Sequence, residues 1–551
     1  MKDNPIKQEK LRKREELLKR KVNPYPHTWK MSGWGNRDRD SIQELIDKKE
    51  PLPEQFFCIA GRLMRKRPMG KADFFNLEDE HNNLQCYIRR DDFVSSNSDL
   101  KSPTDQKIKL SPWELWKLCD IGDILSLRGK LFKTKRGELS LRVQSLKILC
   151  KSVSALPEKY HGLEDKELKY RYRYMDLIMD QKSKKIFKIR SQVITEIRNF
   201  MNKKGFMEVE TPVLQSVYGG ALAEPFETHF RRLNNKKMYL KISPEIYLKK
   251  LIVGGFEKVY EIGKNFRNEG IDRTHNPEFT MMEYYEAYTD YKYQMKQFEK
   301  LVNYVVKKIK GSLKIEYQGK ELNFGKWETL SLKEAIKKYS DLENNNQENL
   351  REALSGSKNI DISKISFPDL FKFIKKLEPK GDYRKYEEAL NIKYLSSEKK
   401  ENLKGALAVL VFEILAEKHL WNPTFIIDFP LSVSPLTKKH RKKQSKYKTL
   451  VERFEPYIAG MELGNAYTEL NDPIDQRERL EEQNRWEKKE DIFKPSSEDK
   501  NFEDSHPLDE NFIHALELGM PPTGGVGLGI ERLVMILTDQ KSIRDCILLP
   551  P

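Results

Sequence analysis

Between Lys258 and Tyr288 the chain reads KVYEIGKNFRNEGIDRTHNPEFTMMEYYEAY, two apolar-aromatic runs enclosing a loop that holds Arg267, Glu269, Arg273, His275 and Asn276. Charges gathered between strand-like runs are costly unless they meet a ligand. An arginine's planar fork donates two hydrogen bonds at once to neighbouring oxygens, so this loop suits a phosphate. In the returning strand, alternation puts Glu283 and Tyr285 on one face, where carboxylate and phenol make a site for a cation. A second acidic set lies in VERFEPYIAGMELGNAYTEL, from Val451 to Leu470. A hairpin turning near Ile458, Ala459 and Gly460 sets Glu455 opposite Glu462, close enough to share hard cations; without a metal the pair would repel. Asn465, Tyr467 and Glu469 follow at i, i+2 and i+4, which on a regular strand turns all three into one pocket. A solvated strand face explains any one of these acids but not the set. Near the C-terminus, GVGLGIER (Gly525–Arg532) has the glycines that let backbone approach a nucleotide closely, with Arg532 at the start of a helix rich in Leu533, Val534 and Ile536. No Gly-Lys-Ser/Thr follows, which excludes a P-loop, and the G-x-G-x-G spacing is not the dinucleotide fingerprint.

The elements that position these residues divide the chain. From Phe56 to Cys150 the apolar period is two, in FFCIAGRL, DFFNLED, LQCYIRR, ILSLRGKLF and LSLRVQSLKIL, the last two joined across Lys135-Arg136-Gly137. About five short strands suit a small closed barrel of the OB type, which binds single-stranded nucleic acid by stacking bases on aromatics and following phosphates with basic side chains. Phe74 and Phe75 lie near Arg65, Lys66, Arg67 and Lys71, and alternation requires at least one of the two phenylalanines to be core. Ahead of the barrel, Ile6 to Lys21 reads as a basic helix with Leu11, Leu17 and Leu18 among eight basic residues, closed by Asn23-Pro24-Tyr25-Pro26. After Ala155-Leu156-Pro157 a long amphipathic helix runs from about Ile186 to Met201, and strands and helices then mix as in an α+β enzyme with antiparallel pairs. The expected divisions are 1–55 for the helix and lead-in, 56–155 for the barrel and 156–551 for the remainder, with polar insertions near 340–360 and 483–508.

A chain of 551 residues exceeds what one core usually serves, and 101 Lys+Arg against 84 Asp+Glu give a charge of +17, which favours anionic partners. The five cysteines are scattered and never form C-x-x-C, against both a disulfide framework and a zinc ribbon. The charged N-terminus has no apolar core for a signal peptide, and no stretch is apolar enough to span a membrane, so a cytoplasmic protein is expected. The run KKHRKKQSKYK, Lys438 to Lys448, has seven basic residues and no acid. It reads either as a contact for nucleic-acid phosphates or as a solvated loop.

The stretch FRNEGIDRTHNPEFTMMEYY resembles motif 2 of class II aminoacyl-tRNA synthetases in its lysine-specific form. Lys203-Lys204-Gly205-Phe206 through Thr211-Pro212 resembles motif 1 and Gly525–Arg532 motif 3, and the likeness runs from about residue 56 to the C-terminus. It implies a class II antiparallel sheet with flanking helices behind an OB-type anticodon domain, and activation of L-lysine by ATP followed by transfer to tRNA(Lys). By resemblance, Arg267 holds the α-phosphate and Arg532 the γ-phosphate as the catalytic pair, while Phe279 lies under adenine. Glu269, His275 and Asn276 complete the ATP site, His275 orienting ligand rather than acting as a base. Glu455 and Glu462 hold more than one Mg²⁺ ion. Gly220 and Glu245 take the α-ammonium of lysine, Arg267 and Asn465 its carboxylate, and Glu283, Tyr285 and Glu469 its ε-ammonium, with Tyr467 beside them. Acids in this pocket favour lysine over aspartate, whose pocket would need a cation. In the barrel, Phe74 stacks on the central anticodon base with Gln85 and Glu138 as hydrogen-bonding partners, and the accompanying basic residue is Lys66 or Arg67. Motif 1 and the helix before it imply a homodimer.

Two other readings compete. A protein-modifying lysine ligase would lack the barrel, and a regulatory relative without ATP chemistry would be expected to lack Arg267, Glu462 or Arg532.

Overall fold

The computed structural model describes residues 4–29, 38–48, 52–93, 110–157, 165–221, 223–340, 371–372, 374–375, 397–442, 449–487 and 509–550. The chain divides into two compact units, Met1–Glu164 and Asp165–Pro551. Nearly all of the expected insertion at 340–360, and 488–508 of the other, lie outside the described residues.

The first unit is a closed barrel of β1 (Phe56–Pro68), β2 (Ala72–Glu78), β3 (Asn83–Arg89), β4 (Ile124–Lys133) and β5 (Leu139–Cys150), in the order β1-β2-β3-β5-β4. Strict alternation along β2 and β3 buries Phe75, Leu77, Leu84, Cys86 and Ile88 in the barrel core. The basic helix Pro5–Lys19 docks on this unit through buried Leu17 and through Lys10, whose Nζ donates to the carbonyls of Ile121 (2.7 Å) and Ser154 (3.0 Å). Leu18 stays exposed, so one leucine rather than a stripe makes the packing.

The second unit opens with helices, and its first strands are β6 (Met207–Glu208) and a small sheet of β7 (Leu214–Gln215), β8 (Glu227–Phe230) and β9 (Lys236–Leu240). Its chemistry-bearing strands are β10 (Lys258–Phe266) and β11 (Glu278–Ala287). A separate hairpin, β12 (Lys314–Tyr317) and β13 (Lys320–Asn323), precedes β14 (Glu328–Ser331), β15 (Thr424–Ile427), β16 (Arg453–Ile458), β17 (Met461–Glu462), β18 (Gly464–Thr468) and β19 (Thr523–Gly529). The main sheet runs β14-β15-β16-β18-β19-β11-β10-β6, with β17 paired to β16. Its centre is antiparallel as expected, but both edges are parallel, β14 with β15 and β6 with β10. The helices Gln181–Lys203 and Tyr291–Lys310 pack their apolar sides, among them Val193, Ile197, Phe298 and Val302, into the core beneath the sheet. Among the described residues no helix is long and apolar enough to cross a membrane.

Candidate active site

A cavity of about 440 Å³ opens on the middle of the main sheet in the second unit. Its floor follows from register. Gly527 lies between Glu283 on one neighbour and Asn465 on the other, and Gly525 between Tyr285 and Tyr467. The glycines of β19 therefore form a trough walled by the side chains that alternation had placed on common faces. A Cβ on Gly525 would stand 2.0 Å from Glu469 Oε1 and 2.4 Å from Tyr285 Cε1. Gly220, at φ +88°, closes one side, and a Cβ there would meet both the Glu245 side chain and Ser243 Oγ at 2.9 Å.

Three carboxylates gather at the deep end: Glu245 (3 % exposed), Glu283 (5 %) and Glu469 (0 %). Glu283 accepts from Ser243 Oγ (2.8 Å) and the Tyr285 hydroxyl (3.2 Å) and faces the cavity. Burial, with the like charge of Glu245, pushes its carboxyl up to about 8 despite those donors. Glu245 also borders the cavity and accepts from the Tyr467 hydroxyl at 2.5 Å. Glu469 does not border it; its carboxylate lies beside Gly525 in an ion pair with Lys249, which also reaches Glu245 Oε1 at 2.6 Å. The acids expected in the pocket thus have a buried cation, Lys249, behind them. Nothing in the sequence pattern singled out Lys249; its helical spacing to Glu245 was the available signal.

At the other end, Arg267 borders the cavity with its guanidinium 5.2 Å from the Phe279 ring centroid. Its Nε is buried and has no hydrogen-bond partner among the described residues, and burial pushes its pKa down. A cation so placed is complete only with an anion. Asn276 Oδ1 is likewise buried without a partner, its Nδ2 donating to the Glu278 carbonyl at 2.7 Å. Glu269 lines the mouth. Arg532 is held on three sides: Nη1 donates to the Glu462 carbonyl (2.6 Å), Nε reaches the Thr274 carbonyl (3.5 Å), and Nη2 lies 3.1 Å from His275 Nε2. The other nitrogen of that histidine sits 2.7 Å from Asp272 Oδ2, so Asp272 and His275 form a brace that aims Arg532.

The hairpin carrying the two candidate metal ligands is centred one residue later than expected, which shifts its register by two. Glu462 pairs with Tyr457, not with Glu455, because the turn is the two-residue pair Ala459-Gly460 with φ of +55° and +66°. Glu455 and Glu462 remain on one face as diagonal neighbours, and Glu462 opens to the cavity while Glu455 is buried behind it. Burial raises the Glu455 pKa, Arg453 lowers it, and the like charge of Glu462 raises it again. That repulsion is what a divalent cation would relieve. Among the described residues no three His, Cys, Asp or Glu side chains form a metal cage, so two carboxylates fit a cation whose remaining ligands are phosphate oxygens and water.

Arg453, which the sequence reading passed over, ties these parts together. Its Nε donates to Asn465 Oδ1 (3.0 Å), leaving the amide nitrogen to donate elsewhere, and its Nη2 reaches Glu455 Oε1 at 2.5 Å. Its place two residues before Glu455 was the missed clue, since alternation puts both on one face.

In the barrel, β1 pairs Arg67 with Phe74, which in turn faces Tyr87, while Lys66 faces Phe75. Phe75 is core, in contact with Trp116 at 4.3 Å, and Phe74 is only partly buried, beside Tyr87 at 4.9 Å. Alternation thus turns Lys66 inward, where its Nζ donates to the carbonyls of Trp116 and Cys119 at 3.0 Å each. Of the two alternatives, Lys66 is thus engaged inside the unit and Arg67 is exposed. Gln85 shares the outer face and donates to Ser140 Oγ at 2.8 Å, and Glu138, two residues before Ser140, is exposed. Of the basic run at 438–448, Lys439 pairs with Asp475 (3.4 Å) and Arg441 with Asp290 (2.8 Å) and Glu452, while 443–448 lie outside the described residues.

Residues 165–551 match the family model described as tRNA synthetases class II (D, K and N), and residues 57–149 match that of the OB-fold nucleic acid binding domain. The chain is 43% identical over 510 residues, 92% of its length and 89% of the relative's, to the lysine–tRNA ligase of Thermoanaerobacter pseudethanolicus. It is 41% identical over 548 residues to that of Clostridium novyi, covering 99% of this chain and 94% of the relative. The corresponding figures for the lysine–tRNA ligase of Methanoculleus marisnigri are 39% over 546 residues, 98% and 94%.

Proposed function

Since the chain belongs to the class II tRNA synthetases of the D, K and N group, we infer that its cavity joins L-lysine to ATP and that the lysyl group is then transferred to tRNA. The lysine carboxylate attacks the α-phosphorus, the bond to pyrophosphate breaks, and lysyl-adenylate forms. The 3′ hydroxyl of the terminal ribose then attacks the activated carbonyl and AMP departs. A carboxylate is already ionised at neutral pH, so no general base is required for the first step. The residues align the reactants and offset charge developing on phosphate.

The observation that carries this reading is one trough with buried acids at one end and, at the other, an arginine whose Nε lacks a partner among the described residues. Arg267 is assigned to the α-phosphate and the lysine carboxylate, with Asn465 donating to the same carboxylate. Arg532, aimed by His275, takes the γ-phosphate; Glu269 and Asn276 border the nucleotide and Phe279 offers its ring to adenine. Gly220 and Glu245 receive the α-ammonium, and Glu283 with Tyr285 the ε-ammonium. Tyr467 borders the same pocket, and Glu469 acts from behind. Glu455 and Glu462 would hold Mg²⁺ together with the triphosphate; bound there, the ion screens phosphate charge.

We assign 1–55 to the lead-in, 56–155 to anticodon binding through Phe74, Arg67, Gln85 and Glu138, and 156–551 to catalysis. A homodimer is supported by exposed Met207 on the edge strand β6 and by exposed Val213 just before β7 and Leu214 at its start. The cytoplasm, where charged tRNA serves translation, is the assigned compartment, in keeping with five free cysteines. The assignment is tested at Arg267→Leu. Lysine-dependent pyrophosphate exchange should fall by about a hundredfold or more, as for loss of a transition-state donor. Exchange at the native rate would refute it.

A further inference from the structure

Lys249 takes no part in the steps above and does not border the cavity, yet it is fully buried on the helix Glu245–Val253 with its ammonium between Glu245 and Glu469. The Tyr467 and Phe512 rings flank it at 5.6 and 5.8 Å. Taking a lysine out of water is expensive, and a hydrophobic residue of like size usually serves stability as well or better, so packing does not explain the charge. Burial pushes the Lys249 pKa down, but the two carboxylates outweigh it and the ammonium persists. The same contact pulls against the burial that drives Glu469 upward.

We propose that Lys249 is a positioning residue for amino-acid selection, an internal counter-cation that holds Glu245 and Glu469 in place and leaves the pocket short of two positive charges. Once Glu283 ionises to receive an ammonium, Glu245, Glu283 and Glu469 are three charged carboxylates; Lys249 offsets one, and the α- and ε-ammonium groups of lysine offset the others. An amino acid with a single ammonium leaves a buried carboxylate without a partner, which is the costly state. The inference rests on assigning these acids to the substrate's ammonium groups.

The test compares Lys249→Met, Lys249→Arg and Glu469→Gln in lysine-dependent pyrophosphate exchange with Mg²⁺ and ATP, reading KM for lysine and for ATP from about pH 6.5 to about pH 8.5. Lys249→Met should raise the lysine KM by about tenfold or more, the worth of a hydrogen bond to a charged group, and move its pH profile upward. The ATP KM should stay within about twofold, and Lys249→Arg should recover much of the loss. A folded Lys249→Met enzyme with the native lysine KM and pH profile would overturn the proposal. If Glu469→Gln binds lysine normally, the underlying assignment of the acids fails instead. A structure of the native protein with lysine bound needs no variant. Lys249 Nζ still bridging Glu245 and Glu469 supports the proposal, and Lys249 displaced by the substrate's ammonium overturns it.

Discussion

Glu283 faces the cavity with its carboxyl pushed up to about 8, so the empty pocket holds it protonated at neutral pH, whereas an ammonium requires it ionised. Lysine binding should therefore tighten as pH rises through that value. The lysine KM should fall by about tenfold per pH unit at most between about pH 6.5 and about pH 8, then level off. Glu283→Gln should raise the KM and flatten the profile; a native enzyme with a flat profile would refute the assignment. His275→Ala should raise the ATP KM by about tenfold, because Arg532 loses its brace, with the lysine KM little changed. Legibility at this scale followed the strand period. Glu283, Tyr285, Asn465 and Tyr467 were readable because side chains two apart share a face. Lys249 was not, because its partner Glu469 comes from a remote strand. Lys66 and Arg67 were left as alternatives because one residue of register reverses a side chain's direction.

At the scale of elements, β19 decides the shape of the site. Gly525→Ala should raise the lysine KM by about tenfold or more, since the added carbon overlaps Glu469 and Tyr285; kinetics like those of the native enzyme would show that the trough is not the pocket. The β16–β17 turn sets the spacing of Glu455 and Glu462. Ala459→Gly should raise the thermal midpoint and Ala459→Val lower it, the latter through a stability loss of about 1 to 2 kcal/mol, because a branched side chain resists positive φ. The turn type was not legible because Ala459 occupies a position usually taken by glycine or asparagine, which shifted the expected centre of the hairpin by one residue. The parallel edges escaped notice for another reason: β6 has two residues and β14 four, too short for any periodicity.

At the scale of the whole molecule, a chain of net charge +17 with a barrel carrying Phe74 and Arg67 on its outer face meets a polyanion. The tRNA KM should rise by about tenfold or more between about 50 and about 200 mM salt, while the lysine KM, set inside a buried pocket, moves by about twofold or less. Sedimentation at micromolar concentration should show a dimer. The five barrel strands and the helix Gln181–Lys203 were plain in the sequence because each repeats its period several times, whereas the helix Tyr291–Lys310 was not read. The central claim is that buried acids make this pocket specific for lysine. Its most direct test is pyrophosphate exchange into ATP by the purified protein with Mg²⁺ and lysine, asparagine or aspartate supplied separately. Exchange with lysine alone is the expected result; exchange with aspartate or asparagine, or none with lysine, would contradict it.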